Sequence, residues 1–199
     1  MANKDLNPAA PTNQPEGFAA TLQTLVLGGG CFWCTEAVFV RVRGVLDVES
    51  GYANGDAQRF PTPSYEQVCS GSTGYNEVVK LVYDPAVVST RALLEVFFAV
   101  HDPTTPNRQG NDVGTQYRSG VYFTTPEQQA EALAVIGLLE GSGELPGPVV
   151  TEVLPLRHYS AAEAYHQDYF EQHPHQGYCA MVVAPKVLKF SKRFKELAG

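Results

Sequence analysis

The sequence lacks two features that would assign the chain to a membrane or to nucleic acid. No apolar run approaches the roughly 20 residues that a helix needs to cross a bilayer. Basic residues are also outnumbered, because 14 Lys and Arg stand against 21 Asp and Glu and leave a formal net charge of −7. General binding to nucleic acid needs a basic surface. We therefore expect a globular protein whose partners are neither membranes nor nucleic acids.

Cysteine is scarce too, and the N-terminus lacks the apolar core of a signal peptide. Four cysteines in 199 residues are too few for a disulfide scaffold, so we expect a reducing compartment, by default the cytoplasm. Residues 1–16 are polar and contain three prolines. That composition favours a disordered tail over residues 1–20, followed by a single domain over residues 21–199.

The hydrophobic pattern of the remaining chain predicts an α+β fold. Short apolar runs bounded by Gly and Pro predict strands, and Ser89 and Thr125 are placed to cap two helices. The first six predicted elements follow the order β-α-β-β-α-β, which is the ferredoxin-like split β-α-β order. Beyond this core we expect extra helices over 126–140 and 161–172, a strand over 149–154, and a long irregular C-terminal segment.

The most informative segment follows the first predicted strand. Gly28–Gly30 stand directly before Cys31, which opens a predicted helix. A helix N-terminus carries unpaired N–H groups and a partial positive charge, which favour a thiolate over a thiol. Glycines let the backbone turn sharply and leave room for a substrate. We therefore interpret Cys31 as a reactive nucleophile rather than a core cysteine, with Phe32 and Trp33 as an apolar surface beside its sulfur.

Two further cysteines allow more than one role. Cys34 completes a C-x-x-C motif, so it is a candidate for a disulfide with Cys31, for a zinc ligand, or for a small apolar side chain. Zinc normally takes four ligands, and a site here would have to recruit Cys179 together with His173 or His175. Cys179 itself is either a thiol on a mobile terminal segment that reaches a distant cysteine, or a buried strand cysteine.

Acidic and phenolic groups near the predicted loops are candidates for proton transfer. Glu77 opens an apolar strand, and if it faces inward, burial raises its pKa so that it can donate a proton at neutral pH. An outward-facing glutamate is the alternative. Tyr65, Tyr117 and Asp112 lie in or beside two irregular segments, where hydroxyl groups can orient an oxygen-bearing substrate or simply pack.

Several motifs together resemble the peptide methionine sulfoxide reductases of the A type, over residues 25–189. The two most specific are the G-C-F-W block at 30–33 and the G-T-Q-Y-R-S block at 114–119. The resemblance also rests on Glu36, Gly51-Tyr52, the segment 65–71, Thr73-Gly74, Glu77, the segments 83–85 and 101–104, the segment 109–113, and Gly177-Tyr178-Cys179.

The resemblance implies a reaction and a set of roles. Methionine S-sulfoxide, free or in a protein, would be reduced to methionine without a metal or other cofactor. A sulfenic acid would form on the nucleophile and condense with a second thiol, and reduced thioredoxin would restore the enzyme, which we expect to be a monomer. The implied roles are Cys31 as nucleophile, Phe32 and Trp33 as methyl pocket, Glu77 as general acid assisted by Tyr65 and Tyr117, and Asp112 as a residue that orders the pocket.

The chain departs from the common family pattern at three positions. Cys34 stands where glycine is frequent, Tyr75 stands where histidine is frequent, and Cys179 is the only C-terminal cysteine where some members have two. We predict Cys179 as the resolving cysteine, with Cys34 as the alternative. Two other functions are consistent with the residues alone: a general thiol–disulfide oxidoreductase that uses the C-x-x-C motif, and a zinc-binding interaction module.

Overall fold

The computed structural model describes residues 21–199, and a six-stranded sheet forms its centre. The N-terminal tail that we expect over residues 1–20 lies outside the described residues. The strands are β1 (Gln23–Gly29), β2 (Val45–Ala53), β3 (Asn76–Tyr83), β4 (Arg108–Gln109), β5 (Asp112–Val113), β6 (Ser119–Phe123), β7 (Glu152–Pro155) and β8 (Tyr159–Ala161).

The sheet has the predicted split order at its core. Its strand order is β7-β6-β1-β3-β2-β8, so the inner four strands run β6-β1-β3-β2, each antiparallel to its neighbours. This is the arrangement that β-α-β-β-α-β connectivity produces in ferredoxin-like folds. At the edges, β7 pairs parallel to β6 and β8 pairs antiparallel to β2, while β4 and β5 form a separate hairpin. The α+β class and the split core are therefore confirmed.

Within residues 21–199, six α-helices surround the sheet, and side-chain caps define where three of them begin. Ser64, Ser89 and Thr125 each accept a hydrogen bond from a backbone N–H group in the first turn that follows them. The helices are α1 (Phe32–Phe39), α2 (Tyr65–Cys69), α3 (Thr90–Val100), α4 (Pro126–Ser142), α5 (Tyr169–Gln172) and α6 (Ala184–Arg193).

The main core lies between the sheet and the helices α1 and α3. Leu25 and Leu27 of β1 and Leu81 of β3 are fully buried, as are Phe39 of α1 and Phe97 of α3. The alternation along the strands sends these leucines to one face, where they meet the apolar sides of the helices. Because β1 is central, the turn that leads from it to α1 is held firmly in place.

The C-terminal third differs from the sequence-based expectation. A helix over 161–172 is wrong: Ala161 ends β8, a 3₁₀ turn spans Ala164–His166, and Asp168 adopts φ +52° before the four-residue α5. Pairing of Ala161 with Gly51 extends the sheet edge and overrides local helix propensity. The terminal segment is also less irregular than predicted, because a π-helical turn over Cys179–Val183 leads directly into α6.

One shorter segment is also more regular than expected. Residues 65–69, predicted to be irregular, form α2, which is stabilised by reciprocal hydrogen bonds between Ser64 and Gln67. Among residues 21–199, no helix combines the length and the apolar character that a membrane crossing demands.

Candidate active site

Cys31 lies at the turn between the central strand β1 and helix α1. It occupies the N-cap position of α1 and is partly exposed. The preceding Gly30 has φ +91°, and a Cβ atom there would lie 2.6 Å from the side chain of Gln109. Only glycine satisfies both conditions, so the backbone of the turn requires glycine at the position directly before the cysteine.

Strand pairing brings Glu77 to this turn. Leu27 of β1 pairs with Val79 of β3, and the two strands are antiparallel. The C-terminal end of β1 therefore lies beside Glu77, which is two residues before Val79 in β3. The carboxyl group is 1% exposed, and its Oε2 atom accepts a hydrogen bond of 3.3 Å from the Phe32 backbone N–H. Its Oε1 atom is buried and has no hydrogen-bond partner among the described residues. Of the two orientations that the sequence allowed for Glu77, the structure therefore has the inward one.

Burial gives this carboxyl group the protonation state of an acid catalyst. Desolvation raises the pKa of Glu77 to about 8, and the negative charge of Asp112 acts in the same direction. The group therefore holds its proton at pH 7. A neutral carboxylic acid with one free oxygen, next to a thiol, can donate a hydrogen bond or a proton to a substrate oxygen.

Tyr65 and Tyr117 approach the same carboxyl group from two other elements. Both side chains are half-buried, and desolvation raises the pKa of each phenol well above its usual range. The hydrogen bond to Cys69 acts in the same direction on Tyr65, and ionised Glu77 does so on both phenols. Both hydroxyl groups therefore keep their protons. The structure thus brings together three protonated oxygen groups, from β3, from α2 and from the 3₁₀ turn Thr115–Tyr117, around one location beside Cys31.

The two cysteines of the C-x-x-C motif form a hydrogen-bonded pair. The hydrogen bond to Cys34, together with burial, raises the pKa of Cys31 well above that of a free thiol. The same hydrogen bond, with help from the positive charge of Lys186, lowers the pKa of Cys34 to about 7. Burial and the partner thiol therefore oppose the effect of the helix dipole on Cys31, and the sequence-based expectation of a thiolate took only the dipole into account.

Asp112 acts on this pair through a tyrosine. The Tyr178 hydroxyl donates a hydrogen bond of 2.6 Å to Asp112 Oδ2, and Tyr178 Oη lies 3.8 Å from Cys34 Sγ. The hairpin of β4 and β5 carries Asp112, and the C-terminal segment carries Tyr178. Asp112 thus fixes the hydroxyl group that faces the C-x-x-C sulfurs, as a pocket-ordering residue would.

Cys179 is not on a mobile arm. It is fully buried at the start of the π-helical turn and packs against Cys34, Ala37 and Val183. Of the two alternatives for Cys179, the structure has the buried one, but the residue lies in a helical turn rather than in a strand. All four cysteines are free thiols, and Cys69 is the exposed one on α2.

An aromatic wall borders the Cys31 sulfur. Phe32 is buried, and half-buried Trp33 stacks on Tyr169 with ring centroids 3.7 Å apart and planes 4° apart. The Trp33 indole N–H donates a hydrogen bond of 3.2 Å to His166 Nδ1. Sequence reasoning gave no role at the site to four of its neighbours, each of which reaches it from a distant part of the chain: His166, Tyr169, Tyr178 and Lys186.

These features define a cysteine-dependent oxidoreductase, with a thiol pair for redox chemistry and an acid for protonating a substrate oxygen. Within residues 21–199, no three His, Cys, Asp or Glu side chains are grouped so that they could hold a metal ion. The family model described as peptide methionine sulfoxide reductase matches residues 23–198, and the chain belongs to that family.

Curated relatives agree with the A type. The peptide methionine sulfoxide reductase MsrA of Polynucleobacter asymbioticus is 55% identical over 177 residues, which cover 89% of this chain and 92% of the relative. The MsrA of Sulfolobus acidocaldarius is 50% identical over 178 residues, which cover 89% of this chain and 98% of the relative. The likeness therefore extends over nearly the whole length of each relative.

Solved structures share the fold. Mxr1 from Saccharomyces cerevisiae in reduced form superposes with a TM-score of 0.73 at 35% identity, covering 83% of this chain and 92% of that chain. Methionine sulfoxide reductase A of Corynebacterium diphtheriae superposes with a TM-score of 0.69 at 35% identity, covering 79% of this chain and 77% of that chain. The expected family and fold are thus confirmed.

Proposed function

We propose that this protein reduces methionine S-sulfoxide, free and in proteins, to methionine, with Cys31 as the nucleophile. One observation carries the assignment: a partly exposed thiol lies at the start of α1 next to Glu77, a buried acid with one unpartnered oxygen. A sulfoxide is complementary to this site, because its oxygen accepts a proton and its sulfur accepts a nucleophile. Phe32 and Trp33 supply the apolar surface for the methyl group.

In the first step, Glu77 and Cys31 both begin protonated. Glu77 donates its proton to the sulfoxide oxygen while the Cys31 sulfur, whose own proton passes to Cys34, forms a bond to the substrate sulfur. The hydroxyl group then moves from the substrate sulfur to the Cys31 sulfur as the sulfur–sulfur bond breaks, and Glu77 is left as a carboxylate. The substrate sulfur is reduced by two electrons, Cys31 is oxidised by two electrons to a sulfenic acid, and methionine leaves.

Cys34 is the nearest acceptor for the Cys31 proton during attack. The two sulfur atoms share a hydrogen bond, and the pKa of Cys34 is about 7, so a Cys34 thiolate is available at neutral pH. Transfer of the proton leaves Cys31 as the thiolate that attack requires. Tyr65 and Tyr117 assist by donating hydrogen bonds to the sulfoxide oxygen.

The contacts favour Cys34 over Cys179 as the first thiol to condense with the sulfenic acid. Cys34 adjoins Cys31, whereas Cys179 packs on Cys34. Condensation forms a Cys31–Cys34 disulfide and releases water. Exchange with Cys179 then moves the disulfide to Cys34–Cys179 and frees Cys31. Both resolving candidates therefore take part, in sequence.

Thioredoxin is the reductant that we propose for the final disulfide. Mxr1 from Saccharomyces cerevisiae, which shares this fold, has been crystallised in complex with Trx2. We also propose a cytoplasmic location, since four free thiols suit a reducing compartment. Residues 21–199 contain every proposed site residue, so we propose that this segment is the functional domain and that it acts as a monomer.

The test is an assay of both sulfoxide epimers with dithiothreitol as reductant. We expect turnover of the S epimer and its loss in Cys31→Ser. The hydrogen-bonded C-x-x-C pair favours one competing function, general reduction of protein disulfides. Insulin reduction that persists in Cys179→Ser, combined with no turnover of either sulfoxide epimer, would support that competitor.

A further inference from the structure

We propose that His166 is a positioning residue that fixes the Trp33 indole ring in the substrate pocket. The inference rests on the proposed function, because it assigns Trp33 to the wall that receives the substrate methyl group. His166 itself reaches the pocket from the 3₁₀ turn Ala164–His166, far from α1 in the sequence.

The first support is the contact between the two side chains. His166 Nδ1 accepts the Trp33 indole hydrogen bond at 3.2 Å across a separation of 133 residues. The imidazole ring is almost entirely buried, with its centroid 5.0 Å from that of Phe32 and 4.7 Å from that of Tyr65. It therefore touches both the methyl-pocket side and the acid side of the proposed site.

The second support is the geometry around the indole ring. Stacking on Tyr169 fixes the plane of the ring and covers one face. Stacking alone leaves the ring free to rotate within its plane, since offset arrangements of two aromatic rings have similar energies. A directional hydrogen bond from the indole N–H removes that freedom. Tyr169 and His166 together leave one orientation of Trp33.

The third support is the state of the imidazole. Because Nδ1 accepts the indole hydrogen bond, the ring proton lies on Nε2, which is buried and 4.0 Å from Glu163 Oε2. Glu163 accepts hydrogen bonds of 2.8 Å from the Tyr52 hydroxyl and from the Tyr65 backbone N–H. Burial also lowers the pKa of His166, which keeps the ring neutral and Nδ1 free to accept. One segment thus contacts both residues: His166 accepts a hydrogen bond from Trp33, and Glu163 accepts one from the Tyr65 backbone.

Two substitutions separate positioning from simple space filling. In His166→Asn, the side-chain oxygen is attached where Nδ1 is attached in histidine, so the acceptor is kept while the ring is lost. In His166→Phe, the ring is kept while the acceptor is lost. A role in packing alone predicts that the phenylalanine variant is the milder one, whereas positioning predicts that the asparagine variant is.

The chain contains a single tryptophan, so the indole N–H gives one isolated signal in a proton–nitrogen NMR spectrum. We expect this proton to resonate downfield and to exchange slowly with solvent in the wild type and in His166→Asn. In His166→Phe we expect an upfield shift and faster exchange. A wild-type indole proton that exchanges like that of a free indole would overturn the proposal, even if His166→Phe failed to fold.

Kinetics with S-sulfoxide provide the second readout. We expect His166→Phe to raise KM about 10-fold and to lower kcat by less than about 3-fold, because Trp33 holds the substrate and does not transfer protons. His166→Asn should stay within about 3-fold of the wild type in both constants. Equal kinetics in the wild type and His166→Phe would refute positioning. An inactive wild type would refute the proposed function instead, while the NMR result would still test the contact.

Discussion

At the scale of single residues, the chemistry depends on two groups whose protonation is set by burial. Glu77 keeps its proton at pH 7 because its carboxyl group is buried and has an unpartnered oxygen. Cys31 keeps its proton because the hydrogen bond to Cys34 and the desolvation of its sulfur raise the pKa of this thiol, although the residue as a whole is partly exposed. In the proposed reaction the acid gives a proton to the substrate and the thiol releases one, so both groups need to be protonated at rest.

Removal of the acid tests this scheme. We expect Glu77→Gln to lower kcat/KM for S-sulfoxide by about 10²–10⁴-fold, the usual contribution of general acid catalysis. Glutamine keeps the size of the side chain and can still accept the Phe32 N–H hydrogen bond. Glu66→Gln, at an exposed position on α2, is the control and should keep full activity. A loss of less than about threefold in Glu77→Gln would mean that another group protonates the oxygen.

The same substitution should raise stability at alkaline pH. An unfolded glutamate releases its proton near pH 4.5, whereas folded Glu77 releases it near pH 8. Between these values the folded state binds the additional proton, so this group's contribution to the free energy of unfolding falls as pH rises. Glutamine does not ionise, so the variant does not lose this contribution as pH rises.

Thermal or urea unfolding of the wild type and Glu77→Gln at pH 5 and pH 9 measures this effect. We expect the advantage of the variant to grow with pH by a few kcal/mol, since each pKa unit corresponds to about 1.36 kcal/mol. A difference between the two proteins that does not change with pH would show that Glu77 titrates normally in the fold.

At the scale of elements, the site depends on the junction of β1, β3 and α1 and on the C-terminal helical segment packed against it. The first junction was predictable in part: the glycine run predicted Cys31 at a helix start and the apolar pattern predicted Glu77 at the start of a strand, while the family resemblance implied that the two act together. The second junction was not predictable in this way. Cys179 enters a π-helical turn and packs on Cys34, a contact that no local pattern announces.

This packing predicts the order of disulfides. After one turnover with S-sulfoxide and no reductant, we expect the wild type to hold a Cys34–Cys179 disulfide. Cys179→Ser should stop at a Cys31–Cys34 disulfide, and Cys34→Ser should retain the Cys31 sulfenic acid far longer, because it lacks the thiol through which the disulfide passes to Cys179. Non-reducing peptide mapping and a sulfenic-acid probe measure these species. Rapid formation of a Cys31–Cys179 disulfide in Cys34→Ser would contradict the order.

At the scale of the whole molecule, the split sheet was predictable because each core strand is a short apolar run with clear ends. The segment between α4 and α6 was not, because long-range contacts determine its shape. Ala161 pairs with Gly51 at the sheet edge, and His166 is held by Trp33. Family motifs indicated the residues that we propose to act on the substrate, but not the histidine that contacts one of them.

The whole fold serves to bring one thiol, one acid and one aromatic wall to the same location, and a single assay tests whether that location reduces sulfoxides. Purified protein is given the S and R epimers of a methionine sulfoxide substrate separately, with dithiothreitol, alongside Cys31→Ser and the exposed control Glu66→Gln. We predict turnover of the S epimer by the wild type and by Glu66→Gln, and none by Cys31→Ser. Absence of S-epimer turnover in the wild type, or full activity in Cys31→Ser, would contradict the account.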